Sequence, residues 1–157
     1  IDPDGSTSWT VSFWLYRTTD NFEYAFGSTD GGILNGIALG FYNSASNGKF
    51  DIIFRNASTT TYRSQGGTTS LNTWFHVAIT HDSSGSGSTS YYKDGSLVSA
   101  NTTYSNPFVG TQTSSQNWIF GSAGTYNVER LDGLIDRIRI YDTALTSSQV
   151  NDLANES

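Results

Sequence analysis

The sequence predicts an all-β sandwich closed by one short C-terminal helix, and three observations carry that expectation. Apolar and polar residues alternate with period two in several short runs, as in Val11, Phe13 and Leu15 or Phe75, Val77 and Ile79. Turn-forming pairs such as Asn47-Gly48 and Asp94-Gly95 punctuate these runs, at the spacing of roughly 8–12 residues that sandwiches use. Only one stretch carries a complete helix start signal, Thr146-Ser-Ser-Gln149.

Taken in order, Ile1 to Ser8 is a polar leading segment with a turn at Asp2-Pro-Asp-Gly5. Trp9 to Tyr16 is a strand with Val11, Phe13 and Leu15 on one face and Ser12, Trp14 and Tyr16 on the other, so it is expected between two layers. Phe22 to Phe26 is a short strand between two loops. Ile33 to Tyr42 and Lys49 to Arg55 form a hairpin about Asn47-Gly48, a pair that tolerates the positive φ of a tight turn. Thr59 to Ser64 is a further strand, followed by a Gly-Gly-Thr-Thr-Ser loop.

Trp74 to His81 places Phe75, Val77 and Ile79 inward, and Asp82 to Thr89 is a Ser/Gly loop. Ser90 to Ser99 is a second hairpin, turning at Asp94-Gly95. Trp118 to Gly121 is a short strand. Leu131 to Leu145 contains an Ile-rich strand, and Thr146 then caps the helix, with Val150, Leu153 and Ala154 as its apolar stripe against the end of a sheet.

At 157 residues the chain is read as a single domain, residues 1–157. It contains no Met and begins Ile-Asp-Pro-Asp, which reads as a processed product or a piece of a larger protein. Absence of Cys removes disulfides and thiolate metal sites. A net charge of −6 with only 8 Lys and Arg argues against nucleic acid or anionic membranes as partners. No apolar run reaches the roughly 18 residues of a membrane span. Low charge, many hydroxyls and 14 % aromatics suit an extracellular β domain.

One carboxylate stands out. Strict alternation puts Asp136 on a face with Leu134, Ile138 and Ile140. An ionised acid there needs a guanidinium, hydrogen-bond donors or a bound cation. A β-bulge near Asp136 would instead turn it outward and let Ile135 join the core.

Trp74-Phe-His-Val-Ala-Ile-Thr, Tyr92-Lys-Asp-Gly95 and Leu131-Asp-Gly-Leu-Ile-Asp-Arg-Ile-Arg-Ile-Tyr-Asp-Thr-Ala-Leu145 with Gln149-Val150, together with Trp9-Thr-Val-Ser-Phe-Trp14, resemble the laminin G-like domains of the concanavalin A-like lectin and glucanase superfamily. The likeness spans residues 9 to 154, with its blocks in the family's order. It implies an antiparallel jelly roll of two curved sheets, often with a Ca²⁺ ion, and a binding rather than a catalytic role. Family members also carry a strand before the one at Trp9, of which Ile1 and Asp2 would be the remnant.

The candidate sites follow. As the resemblance suggests, Asp136 would ligate Ca²⁺, with Asp2 and Asp4 as further donors for an ion that takes about six to eight oxygens. Alternatively Asp136 accepts backbone hydrogen bonds or pairs with Arg137 or Arg139. A sugar needs an aromatic platform and planar polar groups. Tyr24, Asp30, Asn43, Arg55, Tyr126, Asn127 and Arg130 are the candidates, with Tyr42 and Tyr62 as further aromatics, and the stretch from Tyr126 to Arg130 is favoured because it is a loop.

An enzyme ranks last. Glu23, Glu129 and Glu156 do not share one strand, and only a Glu23–Glu129 pair could meet the two-carboxylate requirement of a glycosidase. His76 alternates with core residues and reads as structural, whereas His81 has no evident partner. Asn56-Ala-Ser58 and Asn101-Thr-Thr103 match the glycosylation triplet, which chance supplies in so Asn- and Ser-rich a chain. The sequence thus reads as a secreted or cell-surface glycan-binding module with a structural calcium ion. The alternative is an adhesion or protein-interaction module without a sugar site.

Overall fold

A computed structural model describes residues 7–29, 36–41, 49–55, 61–84, 88–98, 118–122 and 129–156. The order of elements is β1 (Trp9–Arg17), β2 (Glu23–Thr29), β3 (Gly36–Phe41), β4 (Lys49–Arg55), β5 (Thr61–Thr68), β6 (Trp74–Asp82), β7 (Ser88–Lys93), β8 (Ser96–Leu97), β9 (Ile119–Phe120), β10 (Gly133–Tyr141) and α1 (Ser147–Ala154). These strands form two antiparallel five-stranded sheets. Sheet A runs β10-β1-β6-β7-β8 and sheet B runs β5-β4-β3-β2-β9. The architecture is the expected jelly-roll sandwich with one short helix.

The core forms where the odd positions of β1 meet sheet B. Trp9, Val11, Phe13 and Leu15 are fully buried with Phe75, Val77 and Ile79 from β6 and Phe26, Leu39 and Phe41 from sheet B. Edge-on aromatic contacts tie the layers together: Phe13 meets Phe120 at 5.8 Å between ring centroids, and Phe41 meets Phe75 at 6.3 Å. The outer side of β1 is also covered, as its two apolar faces require.

The even side of sheet A carries the helix. Val150 packs on Ala78 and Tyr92, with Leu145 beside them, and the Tyr92 hydroxyl lies 3.2 Å from Ser147 Oγ. The helix therefore lies across a sheet face, not against a sheet end. Its capping box is complete: Thr146 Oγ1 accepts from the Gln149 amide, and Gln149 Oε1 accepts from the Thr146 amide. Below it, β7 turns into β8 through Asp94 and Gly95, both at positive φ (49° and 75°), the geometry of a tight hairpin turn. A Cβ on Gly95 would also sit 2.9 Å from the Asn151 amide oxygen. Thr10 Oγ1 fixes the approach to the helix, donating to the Thr143 carbonyl and accepting from the Leu145 amide.

Several strands differ from expectation: β2 runs on to Thr29 and β7 begins at Ser88, both within stretches read as loops. β5 runs on through Gly66, Gly67 and Thr68, paired with β4 across a bulge at Lys49/Phe50. In β10, Ser12 opposes Arg139 while Trp14 opposes Asp136, so two steps on β1 span three on β10. Arg137 takes up the extra residue at φ 50°. This bulge sends Asp136 to the surface, and Ile135, opposite Leu15, packs on the core. Leu134, Ile138 and Ile140 are exposed (57 %, 45 % and 42 %), because β10 is the outermost strand of its sheet.

The inner-face series of β1 ends on a charge. Arg17 follows Leu15 into the interior and is fully buried. Its Nε donates to Glu23 Oε1 at 2.6 Å, its Nη1 to Thr69 Oγ1 at 2.7 Å and its Nη2 to the Asn21 carbonyl at 3.2 Å, while its guanidinium lies 4.5 Å from the centre of the Phe41 ring. Glu23, also buried, accepts the Asp132 amide on Oε2 at 2.7 Å. Breaking one side of such a pair leaves a lone charge out of water, at a cost of about 3–5 kcal/mol. Arg17→Met and Glu23→Ala are each expected to lose that much in denaturant unfolding. The double variant Arg17→Met/Glu23→Leu should lose less than their sum, and single losses below about 1 kcal/mol would contradict the assignment.

Candidate ligand-binding face

The sequence-derived ligand residues within the described regions gather on sheet B. Leu39 and Phe41 of β3 point into the core, so Ala38 and Gly40 lie on its outer side, where Tyr24 and Ala38 form a separate cluster with Phe22. Register extends this assignment across the sheet. Gly40 opposes Tyr24 and Asp51, and Asp51 opposes Gln65. Ala38 opposes Ile53, which opposes Arg63. Gly36 opposes Arg55, which opposes Thr61. The outer face of sheet B thus carries small residues along β3, with charged and amide-bearing positions on β4 and β5.

Tyr24 is only 3 % exposed and packs edge-on against Phe22 at 5.0 Å between centroids. Burial removes it as an open stacking platform and makes it a wall of this face. Its amide donates to the Glu129 carbonyl at 2.8 Å, and it forms a parallel bridge with Arg130, which is exposed. The structure therefore joins Tyr24 to Arg130. Arg55 lies on the same face, two register rows further along β4. Tyr62 opposes Phe54 in the inner-face row, away from this surface. Asp30, Asn43, Tyr42, Tyr126 and Asn127 lie outside the described residues. Arg63, Asp51 and Gln65 escaped sequence reasoning because only cross-strand register puts them beside Arg55. The alternation Thr61, Arg63, Gln65 was the available signal.

The carboxylates behave differently from one another. Glu23 has both oxygens engaged in the interior, which leaves neither free as a nucleophile or a proton donor in a glycosidase pair. Glu129 is exposed at φ 61°, and partial desolvation raises its pKa. Asp136 is exposed and accepts the Arg137 amide on Oδ1 at 2.8 Å, the backbone hydrogen bond weighed as its alternative role. Its neighbour Arg137 donates to the Glu156 carbonyl, and Arg139 pairs with the Glu156 carboxylate. Asp136 alone supplies fewer oxygens than the six to eight or so a calcium ion takes, and no cluster of three His, Cys, Asp or Glu occurs among the described residues. A calcium site at Asp136 would need Asp2 and Asp4, which lie outside them.

Both histidines are structural. His81 is fully buried, stacked on Trp9 at 5.5 Å, and its Nδ1 lies 2.9 Å from Thr89 Oγ1, so it has the partners that the sequence did not reveal. His76 sits beneath the helix, its Nε2 2.7 Å from Ser12 Oγ and its ring edge-on to Trp14. Burial, countered by Asp94 and Glu156 and aided by Arg139, lowers its pKa to about 4. The unfolded chain therefore binds a proton near pH 6.5 that the folded chain refuses until about pH 4.

Comparison with known proteins agrees with this architecture. A laminin G family model described as the concanavalin A-like lectin/glucanases superfamily matches residues 2–151. No protein of curated function matches the sequence. Among solved structures, the carbohydrate-binding module CBM40 of the Ruminococcus gnavus IT-sialidase superposes with a TM-score of 0.76 at 15 % identity, over 98 % of this chain and 85 % of that one. The native heptameric SAP-like pentraxin of Limulus polyphemus gives 0.73 at 19 % identity, over 96 % and 70 %. Domain 4 of AbnA, an extracellular arabinanase of Geobacillus stearothermophilus in complex with arabinotriose, gives 0.64 at 25 % identity, over 98 % and 70 %.

The histidine yields a signed prediction. Stability should fall as pH drops from about 6.5 to 4, by no more than about 3 kcal/mol from this group. His76→Gln should flatten that part of the profile in urea unfolding, and an unchanged slope would show that other groups set it.

Proposed function

We propose, since the chain belongs to the concanavalin A-like lectin/glucanase superfamily, that it is a carbohydrate-binding module whose glycan lies on the outer face of sheet B. One observation carries this reading: α1 occupies the outer face of sheet A, while the polar register positions and the Tyr24–Arg130 edge fall on sheet B. Sugar recognition uses planar polar groups with several hydrogen-bonding atoms, which Arg, Asp and Gln supply. The neighbouring folds that carry glycans in complex, such as the arabinanase domain with arabinotriose, support the same class of ligand. A secreted or surface location belongs to this reading, since polymeric and cell-surface glycans are met outside the cell.

The engagement of both Glu23 oxygens in the interior supports a binding role in this reading, with catalysis ranked below it. A second reading, a protein-interaction module, draws on the exposed apolar residues Leu134, Ile138 and Ile140 along the edge strand β10. The proposal also includes one structural calcium ion held by Asp2, Asp4 and Asp136 together. It rests on the family resemblance and on the exposed carboxylate of Asp136.

Two measurements test these statements. On a glycan array the protein is expected to bind at least one oligosaccharide class, with Arg130→Ala weakening binding several-fold; no glycan binding alongside a stable protein complex would favour the second reading. In thermal unfolding with millimolar CaCl₂, a site held at about 100 times its Kd adds about 2.7 kcal/mol. Chelator should then lower Tm by roughly 5–10 °C in a chain of this size. An unchanged Tm removes the ion from the proposal.

A further inference from the structure

The cover that α1 gives the outer face of sheet A stops short of one end. The helix packs over Ala78 and Tyr92, and its last residue, Ala154, reaches Gly95, where an added Cβ would sit 3.2 Å from its own. Register places Trp14 and His76 in the next row of that face. Beyond them lies a last row, with Leu134 on β10, Tyr16 on β1 and Trp74 on β6. All three point outward, since their neighbours Leu15, Phe75 and Ile135 pack in the core. The Tyr16 and Trp74 rings lie 5.5 Å apart between centroids and are tilted by 54°. Trp74 is 41 % exposed, Leu134 is 57 % exposed, and Tyr16 is half-buried between them.

The size and the rim of this row say what it fits. Ile138 and Ile140, the other exposed apolar residues of β10, lie on the opposite side of the strand, because Ile140 opposes Val11 of the core. The apolar surface is therefore confined to one row. Three positions on adjacent strands span about 10 Å, which suits two linked sugar rings and is small for a protein interface. Polar groups border it on both sides. Asp136 stands beside Trp14, and Asp132 and Thr18 lie two residues beyond Leu134 and Tyr16, all of them exposed. Thr18 Oγ1 donates to the Asp132 carbonyl at 2.7 Å. Neither carboxylate is in an ion pair among the described residues, because the guanidinium groups of Arg137 and Arg139 are directed at Glu156. The rings are thus flanked by hydrogen-bond acceptors of negative charge.

We propose that the row of Trp74, Tyr16 and Leu134, rimmed by Asp132 and Asp136, is a second glycan site that takes a neutral saccharide chain. The inference rests on the glycan-binding reading, but not on the placement of a glycan on sheet B, and adds a site on the opposite sheet. A sugar ring presents C–H groups along one face, and their partial positive charge meets the negative face of an aromatic ring. The tilt of 54° keeps the two rings from lying together on a flat crystal surface, whereas each can take one sugar of a twisted, soluble chain. Sugar hydroxyls donate to the carboxylates, which repel a uronic or sialic acid.

Calorimetry of the whole chain with cello-, laminari-, xylo-, manno- and arabino-oligosaccharides tests it. At least one should bind, and about tenfold more weakly to Trp74→Ala, the order of loss expected for an aromatic contact and its buried area. Trp74→Phe should keep most of the affinity, and Leu97→Ala, at an exposed apolar residue of β8, all of it. Leu134→Glu, which puts a charge on the row at an exposed position, should weaken binding as Trp74→Ala does, so the test does not depend on one variant. Each variant's fold is checked by circular dichroism. Oxidising the primary hydroxyls of the bound sugar to carboxylates should weaken it, and less so as NaCl rises. Unchanged affinity in folded Trp74→Ala and Leu134→Glu overturns the inference and leaves the glycan reading standing. Binding confined to acidic sugars, or tighter binding of the oxidised form, does the same. So does a dimer that Trp74→Ala converts to a monomer with saccharide affinity unchanged, which would assign the row to a second copy of the chain. No binding to any of these sugars or to a broad array overturns the glycan reading and this inference together.

Discussion

The buried pair between Arg17 and Glu23 is the constraint on which much of this sandwich depends. A strand that feeds Trp9, Val11, Phe13 and Leu15 inward delivers Arg17 to the same interior, and a guanidinium there is tolerable only with its donors satisfied. Glu23, Thr69 and the Asn21 carbonyl satisfy them, and Phe41 covers the flat face. The second oxygen of Glu23 holds the Asp132 amide. A single ion pair thereby fixes the end of β1, the start of β2, the segment after β5 and the approach to β10. Gly133, next to Asp132, has no room for a side chain, since a Cβ would fall 2.0 Å from the Tyr16 carbonyl oxygen. Chain segments far apart in sequence are pinned within one turn's width.

A comparable economy governs β10. Its pattern Leu-Ile-Asp-Arg-Ile-Arg-Ile satisfies period two along either of two faces, and the choice is made by Arg137 in the left-handed region. Such a conformation is costly for a residue with a Cβ, and the amide-to-carboxylate bond from Arg137 to Asp136 helps to hold it. Asp136 therefore serves its own bulge. The strand's other charges, Arg137 and Arg139, reach Glu156 beyond the helix and draw the C-terminal segment back over sheet A.

The strands, the two hairpin pairings, the capped helix and the inward sets of β1 and β6 were legible in the sequence because they are local, written in alternation, turn pairs and caps. The bulge was legible only as an alternative, since no periodicity distinguishes it from a regular strand. Arg17 was taken for the start of a loop, although it continues the series Val11, Phe13, Leu15 and stands six residues before an acid. His81 found its stacking partner Trp9 and its hydrogen-bond partner Thr89 across strands, which no spacing announces. The ligand face was hidden in the same way: Tyr24 and Arg130 were separate candidates whose bridge no spacing announces, Tyr24 is buried, and the position of Arg63 became visible only once β5 was in register with β4.

The ion pair and the ligand face are one problem in mechanics. Glu23 precedes Tyr24 by one residue, and Asp132 follows Arg130 by two, so the carboxylate that neutralises Arg17 also sets the distance between the two chains that meet at the Tyr24–Arg130 bridge. Replacing a buried ion pair with apolar residues is often neutral or stabilising. Its retention at this point is then better explained by position than by stability. An apolar contact would hold the strands together but would tolerate sliding, whereas Arg17 with three donors in use and Glu23 with two acceptors in use admits a single register. On the proposed reading, a surface that presents Arg130 and the sheet B rows to a sugar's hydroxyls requires that register to be unique. On that reading the interior charge is part of the support of the proposed binding face, although it lies on the other side of the strand.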